Sequence, residues 1–292
     1  MKKHKICKIL LVILAIFLCV AFYELLGICV AYKKQPEVSN TTKKETKNGS
    51  WNECSENTER AVIIEKNPEA LLQRVRLIKN AKKEIILSTF AFQSDESGKL
   101  ILGALHDAAD RGVHIRLLVD GMESWIDMEG NPYFYGLSSH ENVEIKLYNK
   151  ANPLKPWKMM GRMHDKYLIA DGKRYILGGR NTYNYFLGDF PGHKNYDRDV
   201  LVVCDEPEKE NSVNQLLEYF ETIWEQEDSG YFHDNKKLAN RKSVKNAVLE
   251  LQNGYQKYFE ENKERICDTD YTDETFETEK IALVSNPIHT GS

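Results

Sequence analysis

Residues 9–32, ILLVILAIFLCVAFYELLGICVAY, hold one charge, Glu24, in 24 positions. A helix needs about 20 apolar residues to cross the hydrocarbon core of a bilayer. The chain therefore divides at once into an apolar segment over 1–32, read as an uncleaved transmembrane anchor, and a polar body that folds without it. Lys2, Lys3, Lys5 and Lys8 precede the stretch, and Lys33 and Lys34 follow it. That basic excess predicts a single pass with the N-terminus in the cytoplasm and the body outside it. Lys43, Lys44 and Lys47 weaken the asymmetry. The competing reading is a cleaved signal peptide, against which stand the length of the stretch and the lack of a small-x-small cleavage site after it. Ile28 before Cys29 makes LLGIC a poor lipid-attachment site.

The body is acidic. Residues 1–34 carry six basic groups and one acid, which leaves 34 basic and 43 acidic groups, a net charge of about −9, in residues 35–292. Non-specific nucleic-acid binders carry the opposite sign, because their affinity comes from displacing phosphate counterions. Cys7, Cys19 and Cys29 lie in the apolar stretch and read as small hydrophobes. Cys54, Cys204 and Cys267 are widely spaced, with no CxxC among them, so a zinc site is not expected and one bridge among the three stays open.

Residues 33–58 are polar and without apolar periodicity, a solvated tether. Over 59–230 strand-like runs alternate with helical ones. AVII leads to Asn67-Pro68, read as a helix cap and first turn, with Leu71, Leu72, Val75 and Ile78 on one face. EIILSTFAF is a strand. GKLILGALHDAADRG is a helix stopped by Gly112. VHIRLLVDG, NVEIKLYN and RDVLVVC are strands. Val213, Leu216, Leu217, Phe220, Ile223 and Trp224 form a helical stripe facing the core. This order predicts an α/β lobe with a mixed, mostly parallel sheet flanked by helices, after one transmembrane helix. Residues 231–278 are highly charged and read as a surface helix and linker. In 279–292 a fresh strand begins at Ile281. IALVSNP there echoes AVIIEKNP, with Asn286-Pro287 matching Asn67-Pro68, as the start of a second lobe would.

The densest chemistry is in RMHDKYLIADGKRYILGGRNTYNYF, residues 162–186. On a strand His164, Lys166, Leu168 and Ala170 share one face, and Asp165, Tyr167 and Ile169 the other. ADGK predicts a two-residue hairpin turn. The return strand ends at Gly178-Gly179, where the backbone can approach a ligand closely, and Asn181 follows. An imidazole, an ammonium and an amide converging on one face suit a phosphoryl group: Lys166 neutralises charge, Asn181 donates to an oxygen, and a neutral His164 attacks phosphorus. No second His and no carboxylate cluster stands at metal-ligand spacing, so neither a metal nor a cofactor is expected. Singly, each of these residues is ordinary; a His beside a Lys on a strand is commonly structural.

Taken in order they read HxKxxxxD and, six residues later, GGxN, with every defined position filled. That pattern resembles the phospholipase D superfamily. The flanking runs EALLQRVRLIKNAKKEIILSTFAF and SGKLILGALHDAADRGVHIRLLVDG resemble the first lobe of bacterial cardiolipin synthases. The likeness covers residues 60 to 230 and extends to 280–292. It implies a membrane phosphatidyltransferase or phosphodiesterase acting on glycerophospholipids such as phosphatidylglycerol. His164 would form a phosphohistidine ester, Lys166 and Asn181 with Gly178 and Gly179 would hold the phosphate, and Asp171 would support the hairpin. Asp199 would orient the nucleophile, against its other reading as a surface ion pair with Arg198. Water as acceptor gives phosphatidic acid, and an alcohol gives transfer.

The chain departs from the family in having one such motif where its members use two. His4, His106, His114, His140, His193, His233 and His289 all lack a Lys two residues on, and read as structural or surface groups. Three readings stay open: the first lobe of a two-lobe enzyme, a homodimer in which two copies of His164 complete one site, or a catalytically dead lipid- or protein-binding module. A homodimeric nucleic-acid phosphodiesterase is the alternative activity, against which the acidic body and the anchor stand.

Overall fold

The computed structural model describes residues 2–33, 43–44, 59–204, 211–233 and 236–285. Most of the expected tether, the Asn286-Pro287 echo and Cys54 lie outside the described residues. The first helix, α1 (Lys2–Lys33), contains the one described span long and apolar enough to cross a membrane, Lys5–Val30.

The body is one nine-stranded sheet between helices. Its strands are β1 (Glu59–Ile64), β2 (Glu84–Thr89), β3 (His114–Asp120), β4 (Val143–Tyr148), β5 (Lys166–Ala170), β6 (Arg174–Gly178), β7 (Asp199–Val203), β8 (Ser229–Tyr231) and β9 (Phe276–Thr278), in the order β8-β4-β3-β2-β5-β6-β7-β1-β9. Its helices are α2 (Asn67–Asn80), α3 (Glu96–Asp110), α4 (Gly121–Asp127), α5 (Pro132–Ser138), α6 (Ser212–Trp224), α7 (Lys242–Glu261) and α8 (Lys263–Cys267).

The sheet is mixed, but it is not mostly parallel. Only β2–β3 and β3–β4 pair in parallel. Those are the neighbours joined through helices, and a parallel pair needs such a crossover. β5 and β6 are joined by the ADGK turn, with Asp171 and Gly172 both at positive φ (55° and 62°), and so must be antiparallel.

Alternation along the strands splits the core. Leu87, Leu117, Leu168, Ile176 and Leu201 face α2, α3, α5 and α7, whereas Ile86, Leu118, Tyr167, Tyr175 and Val202 face the α6 stripe of Val213, Leu216, Phe220 and Trp224. Cys204 is buried there and accepts from Asn211 Nδ2 (3.5 Å), while Cys267 is exposed.

Three expectations are corrected. Asn67 is not a cap: its amide donates to Asn195 O (2.8 Å) and its oxygen accepts from Arg180 (3.2 Å), while Lys66 occupies the cap position. Residues 231–278 are more than a surface helix and linker: α7, exposed at thirteen of its twenty positions, buries Val244, Ala247, Leu251, Tyr255 and Phe259. Two features conceal this in the sequence: the stripe is narrow, and Gly103 of α3 lets the α7 backbone come so close that a Cβ would collide with Leu251 O. Beyond α7, Arg76 binds Glu274 (2.9 Å) and Asp270 O (2.8 Å), which fastens the chain up to β9. Lastly, the described residues after Ile281 form no strand; Ile281 and Leu283 pack against the α6 side.

Candidate active site

Strand pairing brings the motif to one end of the sheet. Thr89 pairs with Lys166, and Gly178 with Asp199. Because β5 and β6 are in register, these four residues form one rung on the α2–α3 side. Beyond Gly179 the chain turns back beside β2: Thr182 N donates to Ala91 O (3.0 Å) and Gln93 N to Thr182 O (3.2 Å). That segment fixes Asn181, whose Oδ1 accepts from Ala91 N (3.3 Å). Its NH2, the end that can donate to a phosphate, is thereby turned the other way.

His164 lies just before β5, exposed, and Lys166 is buried at the strand's first residue. Phe90 organises both. The His164 ring packs edge-on at 4.7 Å, Lys166 Nζ lies 5.2 Å from the ring centre, and the Arg162 guanidinium lies 4.9 Å from it. Lys166 Nζ also donates to His164 O (2.6 Å). Partial desolvation of the ring, followed by the Lys166 charge, lowers the pKa of His164 below the ordinary histidine value. The neutral ring with a free nitrogen lone pair is therefore the main form at neutral pH. Burial also lowers Lys166 to about 8, with Asp165 and Asp197 opposing. Asp165 points to the other face, where Tyr219 Oη donates to it (2.8 Å).

The loop that carries His164 is held by a residue the sequence reading passed over. Asp120, buried at the end of β3, accepts from Met163 N (3.0 Å) and Arg162 Nε (2.9 Å) while capping α4 through Met122 N (3.0 Å). Phe90 and Arg162 were likewise unremarked. Nothing in their local sequence distinguishes them, since they meet only through the β2–β5 pairing.

Asp199 is not a surface partner of Arg198, which instead pairs with Glu65 at 2.9 Å. Its Oδ2 is held by two buried guanidiniums, Arg74 at 2.8 Å and Arg180 at 3.3 Å. Arg180, the variable residue of GGxN, also donates to Ile64 O (3.1 Å) and Glu65 O (2.7 Å). Gly178 and Gly179 also have a packing reason to be glycine. A Cβ on Gly178 would collide with Asp199, and one on Gly179 with the carboxylate of Asp197. The close approach at this turn is made by the protein's own carboxylates. Asp171, at the opposite end of β5, accepts from Lys82 N (2.8 Å), Lys83 N (2.7 Å) and Glu84 N (3.0 Å). Those bonds pin the start of β2.

Residues 74–224 match the family model described as cardiolipin synthase, PLD-like domain. An uncharacterized protein of Helicobacter pylori (strain J99) is 30% identical over 212 residues, 68% of this chain and 39% of its own. Cardiolipin synthase C of Escherichia coli K12 is 29% identical over 171 residues, 54% of this chain and 34% of its own. The chain thus spans less than half the length of these relatives. Phosphatidylserine synthase of Haemophilus influenzae shares the fold, with a TM-score of 0.50 and 18% identity over 76% of this chain and 48% of its own. With the family model over half of the sequence and the HxKxxxxD–GGxN residues gathered at one end of the sheet, the chain belongs to the phospholipase D superfamily, as a member with a cardiolipin synthase-like domain.

Proposed function

We propose that this lobe is half of a phosphatidyltransferase site that works on glycerophospholipids through a phosphohistidine ester. The observation that carries the reading is the His164–Lys166 pair on Phe90, with the imidazole kept neutral and the ammonium beside it. His164 would attack the phosphorus of a lipid such as phosphatidylglycerol, forming a nitrogen–phosphorus bond as the head-group alkoxide leaves. Lys166 and the Asn181 NH2 would stabilise the charge on the non-bridging oxygens. The buried Arg74–Asp199–Arg180 cluster would hold Gly178 to Asn181 in place. Of the two carboxylates beside the glycines, Asp197 is the one whose charge acts on Lys166. Water or an alcohol, entering on the side the head group left, would then displace His164 from phosphorus.

The leaving alkoxide needs a proton, and a second His on the opposite side of the phosphate would supply it. We infer that a second copy of the chain brings it, as an isologous pair would. Ile63 and Tyr196 stand exposed near this end of the sheet, the kind of surface such a pair would cover. The test mixes the full chain with excess His164→Ala protein after dissociation and re-association. A second-copy site predicts that activity per wild-type chain collapses, because nearly every wild-type chain then pairs with a variant. Unchanged activity per wild-type chain overturns the pairing. No release of head group from phosphatidylglycerol by the wild-type chain, with cleavage of plasmid DNA instead, overturns the lipid reading.

A further inference from the structure

The loop between β4 and β5 carries apolar and basic residues that the site does not use. In NKANPLKPWKMMGR, residues 149–162, Leu154 is 78% exposed and Trp157 44% exposed. Beside them, α4 presents Trp125 (64%) and Ile126 (66%) to the outside. The two projections belong to one surface. A Cβ on Gly121, the first residue of α4, would collide with Asn149 O, and Asn149 Nδ2 donates to Gly161 O (2.7 Å). Arg162 then joins the loop to α4 through Glu123 (2.7 Å). The next residues are Met163 and His164, so this apolar rim borders the candidate site.

The same loop rests on α1. Tyr23 Oη donates to Leu154 O (2.8 Å), and Gly27 leaves room for the Pro156 ring, which any Cβ there would strike. Along residues 21–30, Ala21, Glu24, Gly27 and Ile28 are the positions not fully exposed, so the single carboxylate of the span lies on the helix face turned toward the loop. Tyr23 and Gly27 precede Val30, the end of the apolar span, by seven and three residues. At 1.5 Å per helical residue that sets the contact about 5–10 Å inside the end of the span. If α1 crosses a bilayer, as its composition predicts, Leu154 and Trp157 come to the depth at which interfacial apolar side chains insert. Tryptophan is enriched at that level, and Lys33 and Lys155 add positive charge suited to anionic head groups, while Lys158 is paired with Asp228 (3.2 Å).

We propose that Leu154 and Trp157, with Trp125 and Ile126, form a bilayer-docking surface that seats the entrance at Arg162–His164 on the membrane crossed by α1, preferring an anionic phospholipid surface. The inference deepens the lipid-substrate reading and rests on it only for its purpose, since docking needs no turnover.

The full chain is incorporated into vesicles of phosphatidylglycerol and phosphatidylcholine, with bromine on the acyl chains near the head groups, and tryptophan fluorescence is read. Expected is strong quenching that falls in Trp157→Phe and again in Trp125→Phe; the buried Trp224 supplies the unquenched remainder and Trp51 is common to all variants. Equal fractional quenching in the wild-type chain and both variants overturns the proposal. Leu154→Asp, at a position too exposed to matter for folding, is expected to reduce quenching of Trp157; unchanged quenching overturns the proposal equally. His164→Ala separates the two readings. Docking predicts that this variant quenches like the wild-type chain. Quenching without any lipid turnover by the wild-type chain would leave docking standing and remove the substrate reading, whereas lipid turnover without quenching would do the reverse.

Discussion

The two ends of β5 carry the same sequence motif and do different work. At one end His164 and Lys166 lie around Phe90 with their pKa values lowered, and only Lys166 is deeply buried. At the other, Asp171 spends its carboxylate on the backbone N–H groups of residues 82, 83 and 84. One end is arranged for chemistry on a phosphate and leaves donor and lone-pair capacity open. The other closes a loop and leaves little. A motif that reads as a single signature is therefore two devices joined by five residues of buried strand, and each can be broken alone.

The largest separation is expected from His164→Ala. Turnover should fall by at least about 10⁴-fold, as for other covalent nucleophiles, while the unfolding midpoint stays put because the ring is exposed. Comparable loss of stability would mean that the His164 end is structural after all. Second comes the buried cluster behind the glycines. Asp199→Ala leaves Arg74 and Arg180 buried without their carboxylate and should cost about 3–5 kcal/mol in urea unfolding. A cost under about 1 kcal/mol would show that the guanidiniums do not depend on it.

At the far end, Asp171→Ala removes the acceptor of three backbone N–H groups and puts Ala at φ 55°, and should cost about 1–2 kcal/mol. Asp171→Asn tolerates that backbone conformation and should cost less. Activity per folded molecule should be unchanged in both, and a specific loss of turnover would bring Asp171 into the chemistry. The gentlest probe is pH. One copy's His164 must be neutral to attack, so kcat/KM should rise with pH through a value below the ordinary histidine pKa, and its counterpart in the second copy must be protonated to supply the leaving-group proton, so the profile should then turn over. Lys166 must also be protonated, so the fall should be complete above about 8. A profile that keeps rising above that value would contradict the role given to the Lys166 ammonium.

The same contrast explains what could be read from the sequence. Whatever repeats locally was legible: the α6 stripe, the I′ turn at Asp171-Gly172, and the alternation that puts Lys166 and Leu168 on one face with Tyr167 on the other. Residues that act through distant partners were not. Asp120 holds Met163, beside His164, across 43 positions, and Arg74 reaches Asp199 across 125. Strand direction failed for a related reason: helices between β2, β3 and β4 suggested a parallel sheet, but the pairing of β2 with β5 and β1 with β7 is set by which faces bury, which a one-dimensional pattern does not contain. The charged stretch after residue 231 hid a core-facing stripe because the five buried residues of α7 are diluted by thirteen exposed ones.

The central claim is covalent chemistry at His164. It is tested most directly by quenching the full chain in acid-free conditions during turnover of phosphatidylglycerol labelled in its phosphate, then locating the label by peptide mapping. The account predicts an acid-labile adduct on the peptide containing His164, its labelled phosphate retained in base, absent from His164→Ala. Turnover with no such adduct, or with the label on any other residue, would contradict it.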